Sequence, residues 1–115
     1  MNINDYQKKA MSTDAFVRPK EINVLSPAFL EKLLGISGES GELTDKIKKI
    51  IRDKEGKLSN IDRDEIVKEI GDILWYLSAV ANYLDVTLET VARVNLEKLK
   101  SRKGRGVIKG SGDNR

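Results

Sequence analysis

No stretch of this chain alternates apolar and polar residues with β-branched side chains, and its only two prolines, Pro19 and Pro27, fall in the first quarter. The first fact removes strands and the second leaves the rest free for uninterrupted helices. Four helical segments can be placed. The first runs from about Asn4 to Phe16, followed by an irregular connector over residues 17–25. The second starts cleanly, with Ser26 as N-cap and Pro27 at the first helical position, and continues to about Asp53 before Gly56. The third opens at Asp62, with Glu65 three residues on in a capping-box arrangement; Ile66, Ile70, Ile73, Leu77, Val80 and Leu84 follow at helical spacing as far as Asp85. The fourth begins at Thr87, places Leu88, Val91, Ala92, Leu96 and Leu99 on its inner side and fades at Arg102-Lys103-Gly104. The expected fold is all-α and four-helix-bundle-like. Residues 1–103 form a single helical domain, and 104–115 form a flexible, basic, glycine-rich tail.

With 115 residues there is room for one domain, and aromatics at 5% predict an aliphatic core. The chain has no cysteine and no histidine. Their absence excludes disulfides, Cys/His zinc sites, thiol nucleophiles and every mechanism that needs an imidazole. Chemistry would fall to Asp, Glu, Lys, Arg, Tyr, Ser or Thr, most simply with a hard metal ion. The formal charge of +3 is too mild to imply nucleic-acid binding by itself, although basic residues gather beyond Leu99. No apolar run approaches a membrane span, and Met1-Asn2-Ile3-Asn4-Asp5 does not read as a signal peptide, so a cytoplasmic location is expected.

Two acid pairs stand out. Glu39-Ser40-Gly41-Glu42 lies on the second helix and Glu69-Ile70-Gly71-Asp72 on the third. Spacing of i, i+3 puts both acids of a pair on one face, where like charges repel unless cations offset them. Glu69 borders the stripe of Ile66, Ile70 and Ile73, and Glu39 interrupts the series Ile36, Leu43, Ile47. The acids therefore belong at the edge of the bundle interior, where an unpartnered carboxylate costs several kcal/mol, about, in desolvation. Divalent cations on oxygen ligands are one compensation, and a histidine-free set favours Mg²⁺ or Mn²⁺. Local pairing with Lys46, Lys49 or Lys68 on a solvated face is the other. Gly35, Gly38 and Gly41 sit inside the second helix, where each costs roughly 1 kcal/mol relative to Ala. Close helix contact or a kink explains them, as does backbone approach to a ligand.

On the fourth helix Asn95 lies one turn from both Val91 and Leu99 and is expected to point inward, with Lys98 and Arg102 on the same side. Either Asn95 makes an inter-helix hydrogen bond, or Asn95 and Lys98 reach an anionic ligand. Trp75 and Tyr76 follow the second acid pair and read as core or subunit contact, or as a stacking surface for a flat base.

Taken together, Leu34-Gly-Ile-Ser-Gly-Glu-Ser-Gly-Glu-Leu43, Glu69-Ile-Gly-Asp-Ile-Leu-Trp-Tyr-Leu77 and Asn95-Leu-Glu-Lys98 with Arg102 resemble the MazG-like nucleoside triphosphate pyrophosphohydrolases of the all-α NTP pyrophosphatase superfamily. The resemblance spans roughly residues 28–115, and its ending, Gly-Ser-Gly-Asp-Asn-Arg, is similar to the short phage-type members. Ser37-Gly38 precedes Glu39 where some members double the first glutamate. The resemblance implies Mg²⁺-dependent hydrolysis, with Mn²⁺ as a possible substitute, of a nucleoside or deoxynucleoside triphosphate to the monophosphate and pyrophosphate. Water activated by the metal would attack the α-phosphorus. It implies Glu39, Glu42, Glu69 and Asp72 as metal ligands and catalytic residues, and Lys98, Asn95 and Arg102 as contacts to substrate. It also implies a homodimer or a dimer of dimers joined through the helices. Two other classes remain to be weighed. One is a non-catalytic helical dimerisation or regulatory module, its acids paired with Lys46, Lys49 or Lys98. The other, not expected, is a nucleic-acid binder using the basic tail.

Overall fold

In the computed structural model, which describes residues 1–115, four helices and no strand are formed: α1 (Ile3–Met11), α2 (Pro27–Lys54), α3 (Asn60–Tyr83) and α4 (Leu88–Gly104). Each begins on a side-chain cap. Asn2 accepts from the Asp5 amide while Asp5 reaches back to the Asn2 amide, Ser26 accepts from Phe29, and Thr87 accepts from Thr90. The cap of α3 lies one turn earlier than the sequence suggests. Ser59 and Asp62 form the reciprocal box, and Asp62 is held further by Lys54 at 2.7 Å across the α2–α3 turn. Glu65 is thereby freed to pair with Lys68 at 2.6 Å. The α2 terminus unwinds through Glu55 and Gly56, both at positive φ, with the Gly56 amide returning to the Ile50 carbonyl at 3.1 Å.

α1 stops at Met11, short of the expected Phe16. The cause is local: Ser12 Oγ and Thr13 Oγ1 donate back to the Lys9 and Ala10 carbonyls, and the Asp14 carboxylate accepts from the Phe16 amide. These hydrogen bonds compete with helix continuation.

α2 and α3 form a long helical hairpin, α1 packs across α3, and α4 meets α1 and the end of α3. Gln7 ties these last three together from a buried position. Its amide donates to the Ser78 and Val86 carbonyls, and its oxygen accepts from the Leu88 amide at 3.0 Å. Ala28, Phe29 and Tyr83 make the small core, with Val80 against it.

Much apolar surface remains open. The radius of gyration is 17.1 Å, against about 13 Å for a compact chain of this length. The accessible surface is 8449 Å², where about 6,300 Å² is usual for a monomer of this mass. The inner side expected for α4 is the clearest case. Leu88 is buried, but Val91, Ala92, Leu96 and Leu99 are exposed, because α4 is anchored near its N-terminus and then leaves the hairpin. Of residues 104–115, expected from composition to be a flexible basic tail, Gly104 ends α4 and 105–115 turn back onto the end of that helix. Lys98 pairs with Asp113 at 3.1 Å, and Arg102 donates to the Gly112 and Asp113 carbonyls. Gly112, at φ 87°, permits the turn.

Candidate metal and nucleotide site

The acids of α2 and α3 meet where the two helices of the hairpin run side by side. Glu39, Glu69 and Asp72 each bring a carboxylate oxygen within 4.8 Å of the other two. Glu39 and Glu69 are half-buried and Asp72 is exposed, so the cluster lies at the rim of the helix pair. Glu42, one turn along α2, is exposed and outside this set. Repulsion from the three grouped carboxylates turns a long, free glutamate toward water.

The electrostatics separate this group from the neighbouring acids of the α2–α3 hairpin that have found cations. Asp45, Asp53, Asp62 and Glu65 all have lysine or arginine partners within 2.8 Å. In the cluster only Glu69 has one, Lys46 at 3.3 Å; Glu39, Glu42 and Asp72 have none within salt-bridge distance. Lys49 is spent on Asp45 and Lys98 on Asp113. Partial burial, followed by the charges of Asp72, Glu69 and Glu42, pushes the Glu39 carboxyl above its ordinary range. A group of hard oxygen donors, close together and short of cations, fits a divalent ion of the Mg²⁺ or Mn²⁺ type. Residues that pair off as carboxylate–lysine bridges would not leave this deficit.

Glu39 and Asp72 also line an open cleft of about 420 Å³ with Thr13, Trp75 and Tyr76, within the size range of small-molecule sites. The two aromatic rings meet edge to face, their centroids 5.0 Å apart. Tyr76 lies directly over Gly35, where a Cβ would sit 2.1 Å from the ring. Gly35 is thus a close-contact glycine, whereas Gly38 and Gly41 face open space beside the acids. The Trp75 indole N–H donates to Thr13 Oγ1 at 2.9 Å and to the Ala10 carbonyl at 3.2 Å, so α1 and its following turn set the angle of the ring.

The remaining predicted residues lie elsewhere in the chain. Asn95, expected to face inward, is exposed, because the helix that carries it does not run along the hairpin. It borders an apolar groove between α3 and α4 and a shallow one shared with Lys98, and neither groove includes the acids. Arg102 is buried and engaged with the tail, with its Nε unpartnered. Thr13 and the buried Lys32 escaped the sequence reading. Lys32 left a trace, since Phe29, Lys32, Ile36 and Glu39 share one face of α2 at spacings of three and four.

Comparison with known proteins bears on the same residues. The family described as MazG nucleotide pyrophosphohydrolase domain matches residues 29–106, a span containing both acid pairs, Asn95, Lys98 and Arg102. The Gene 37 protein of Mycobacterium phage L5 is 55% identical over 82 residues, covering 71% of this chain and 72% of the phage protein. No solved structure matches. No helix is long and apolar enough to cross a membrane.

Proposed function

The chain belongs to the MazG nucleotide pyrophosphohydrolase family, and from that premise we propose that it hydrolyses nucleoside or deoxynucleoside triphosphates to the monophosphate and pyrophosphate with Mg²⁺, or Mn²⁺ in its place. The observation that carries this reading is the set of three carboxylates within 4.8 Å, from two helices, with a single lysine partner among them. Glu39, Glu69 and Asp72 would hold the metal, with Glu42 one turn away as a further ligand. The bound ion supplies charge neutralisation for the phosphates and lowers the pKa of bound water. Glu39 and Asp72 present their carboxylates to the cleft, and half-buried Glu69 stands beside them, steadied by Lys46. Trp75, Tyr76 and Thr13 give the cleft an apolar wall on which a nucleoside can rest.

A homodimer, or a dimer of dimers, accompanies this reading. About 2,000 Å² of surface beyond the usual monomer value matches what an obligate interface removes from water. Within one protomer Asn95 and Lys98 do not line the acidic cleft, so their contact with the triphosphate requires the α4 of another copy. Arg102 would reach phosphate only after releasing the tail. The test is a panel of canonical and modified triphosphates with Mg²⁺ or Mn²⁺, with products identified. Pyrophosphate and the monophosphate are expected; orthophosphate as the product refutes the reaction.

A further inference from the structure

Lys32 is the most deeply buried charge in the protein. Its side chain is 2% exposed, and Asp14, its partner at 2.8 Å, is 7% exposed. Glu31 accepts from the same ammonium. Around it stand the rings of Phe16, Trp75 and Tyr83, with centroids 4.7, 5.3 and 5.7 Å from Nζ. The Tyr83 hydroxyl donates to the second Asp14 oxygen at 2.6 Å, and the Phe16 amide donates to the first. Both Asp14 oxygens and two of the three ammonium protons thus have polar partners, and the aromatic rings face the rest of the cation, which favours holding two charges inside. Burial alone would drive Lys32 toward neutrality, but its bonds to Asp14 and Glu31 together hold its pKa above the ordinary lysine value.

A buried ion pair is a poor route to stability, since well-packed apolar side chains of similar volume do as well or better. What the pair fixes is a place. Asp14 belongs to the turn that leaves α1, and no regular secondary structure follows it until Pro27. Lys32 and Tyr83 belong to α2 and α3, the hairpin that carries the acids. Thr13, next to Asp14, accepts the Trp75 indole N–H at 2.9 Å, and Thr13 and Trp75 both line the acidic cleft.

We propose that Lys32 is a positioning residue for the nucleotide cleft: by gripping Asp14 it docks the turn after α1 on the hairpin, which sets Thr13 and through it the Trp75 ring that walls the cleft. Lys32 is outside the carboxylate cluster and does not itself line the cleft, its one direct contact with the wall being the Trp75 ring 5.3 Å from Nζ, so it acts on the binding of the nucleoside portion and not on the hydrolytic step. The kinetic half of this inference rests on the proposed activity, whereas the structural half does not.

Trp75 is the sole tryptophan, so its fluorescence reports on that wall alone. In Lys32→Met, with far-UV circular dichroism unchanged, acrylamide quenching of Trp75 should rise about threefold. KM for the triphosphate that the wild type hydrolyses best should rise about tenfold, with kcat within a factor of two. Asp14→Asn keeps the shape and the tyrosine contact but weakens the grip. It should move both readouts in the same direction by less, and it decides the matter if Lys32→Met does not fold. Wild-type quenching in both folded variants overturns the docking role, and a loss confined to kcat overturns the separation of binding from chemistry. If the wild type hydrolyses no triphosphate, the proposed activity fails, and the quenching measurement still decides what Lys32 does.

Discussion

Neutralising Glu39 should stabilise the metal-free protein while sharply reducing the proposed hydrolysis. Unit charges at the 4.8 Å limit of the cluster repel by about 1 kcal/mol in a water-like dielectric, and by a few times more at an effective dielectric constant of 20. Glu39→Gln removes two such pairs, with Glu69 and with Asp72. Because Asp72 is exposed, the lower figure applies, giving about 1–2 kcal/mol at low ionic strength. For a chain of this size that is a rise in Tm of about 4–8 °C in EDTA, shrinking as salt is added. Glu69→Gln is the internal control. It relieves the same repulsion but loses the Lys46 bridge at 3.3 Å, so its Tm should barely move. With Mg²⁺ at 100 times Kd the wild type gains about 2.7 kcal/mol, and the order of wild type and Glu39→Gln inverts. The assay is thermal unfolding at one fixed protein concentration, with and without Mg²⁺, alongside pyrophosphate release, which should fall by about two orders of magnitude or more. If Glu39→Gln is less stable than wild type in EDTA, the three carboxylates do not repel one another as their spacing requires, and the argument for a cation there is lost.

Three further outcomes follow from the same geometry. Gly35→Ala must displace the Tyr76 ring, costing about 1–3 kcal/mol against a helix-propensity gain of at most about 1, whereas Gly41→Ala meets nothing and should gain stability; urea denaturation distinguishes them. Burial, and then the hydrogen bond to Asp14, push the Tyr83 hydroxyl up to about 12; the unfolded chain therefore ionises first, and stability complete below pH 10 should decline by up to about 2–3 kcal/mol as pH rises toward 12. Tyr83→Phe should flatten that decline in alkaline urea titrations, leaving a residue from Tyr6, Tyr76 and Lys32, whose pKa values are also raised. Finally, Leu96, 66% exposed on α4, should be covered if the proposed homodimer forms through this face: Leu96→Glu should then shift sedimentation toward the monomer and reduce the proposed hydrolysis, while leaving helicity intact.

What could be read in the sequence depended on whether the deciding interaction was local. Ser26-Pro27 starts α2 as expected because cap and ring act within one turn. The N-cap of α3 falls three residues before the expected Asp62, at a box of Ser59 with Asp62 that has the same spacing as Asp62 with Glu65. Lys54, on the other side of the turn, selects the first by holding Asp62. The inner side expected for α4 is, beyond Leu88, an exposed side within one chain, because periodicity says which face is apolar and not what it meets.

The stripe of Phe29, Lys32, Ile36, Glu39 and Leu43 shows where the two kinds of information part. It carries two charges of opposite sign, and by pattern alone they are equivalent interruptions of an apolar face. Lys32 finds Asp14, from a turn 18 positions earlier in the chain, and closes its electrostatics inside the protein. Glu39 finds two more carboxylates instead, and Lys46 answers only one of the three. A buried charge with its partner present holds the fold in place. A half-buried charge whose neighbours share its sign needs something from outside the chain. Spacing marked Glu39, but only the positions of the cations around it separate these two cases.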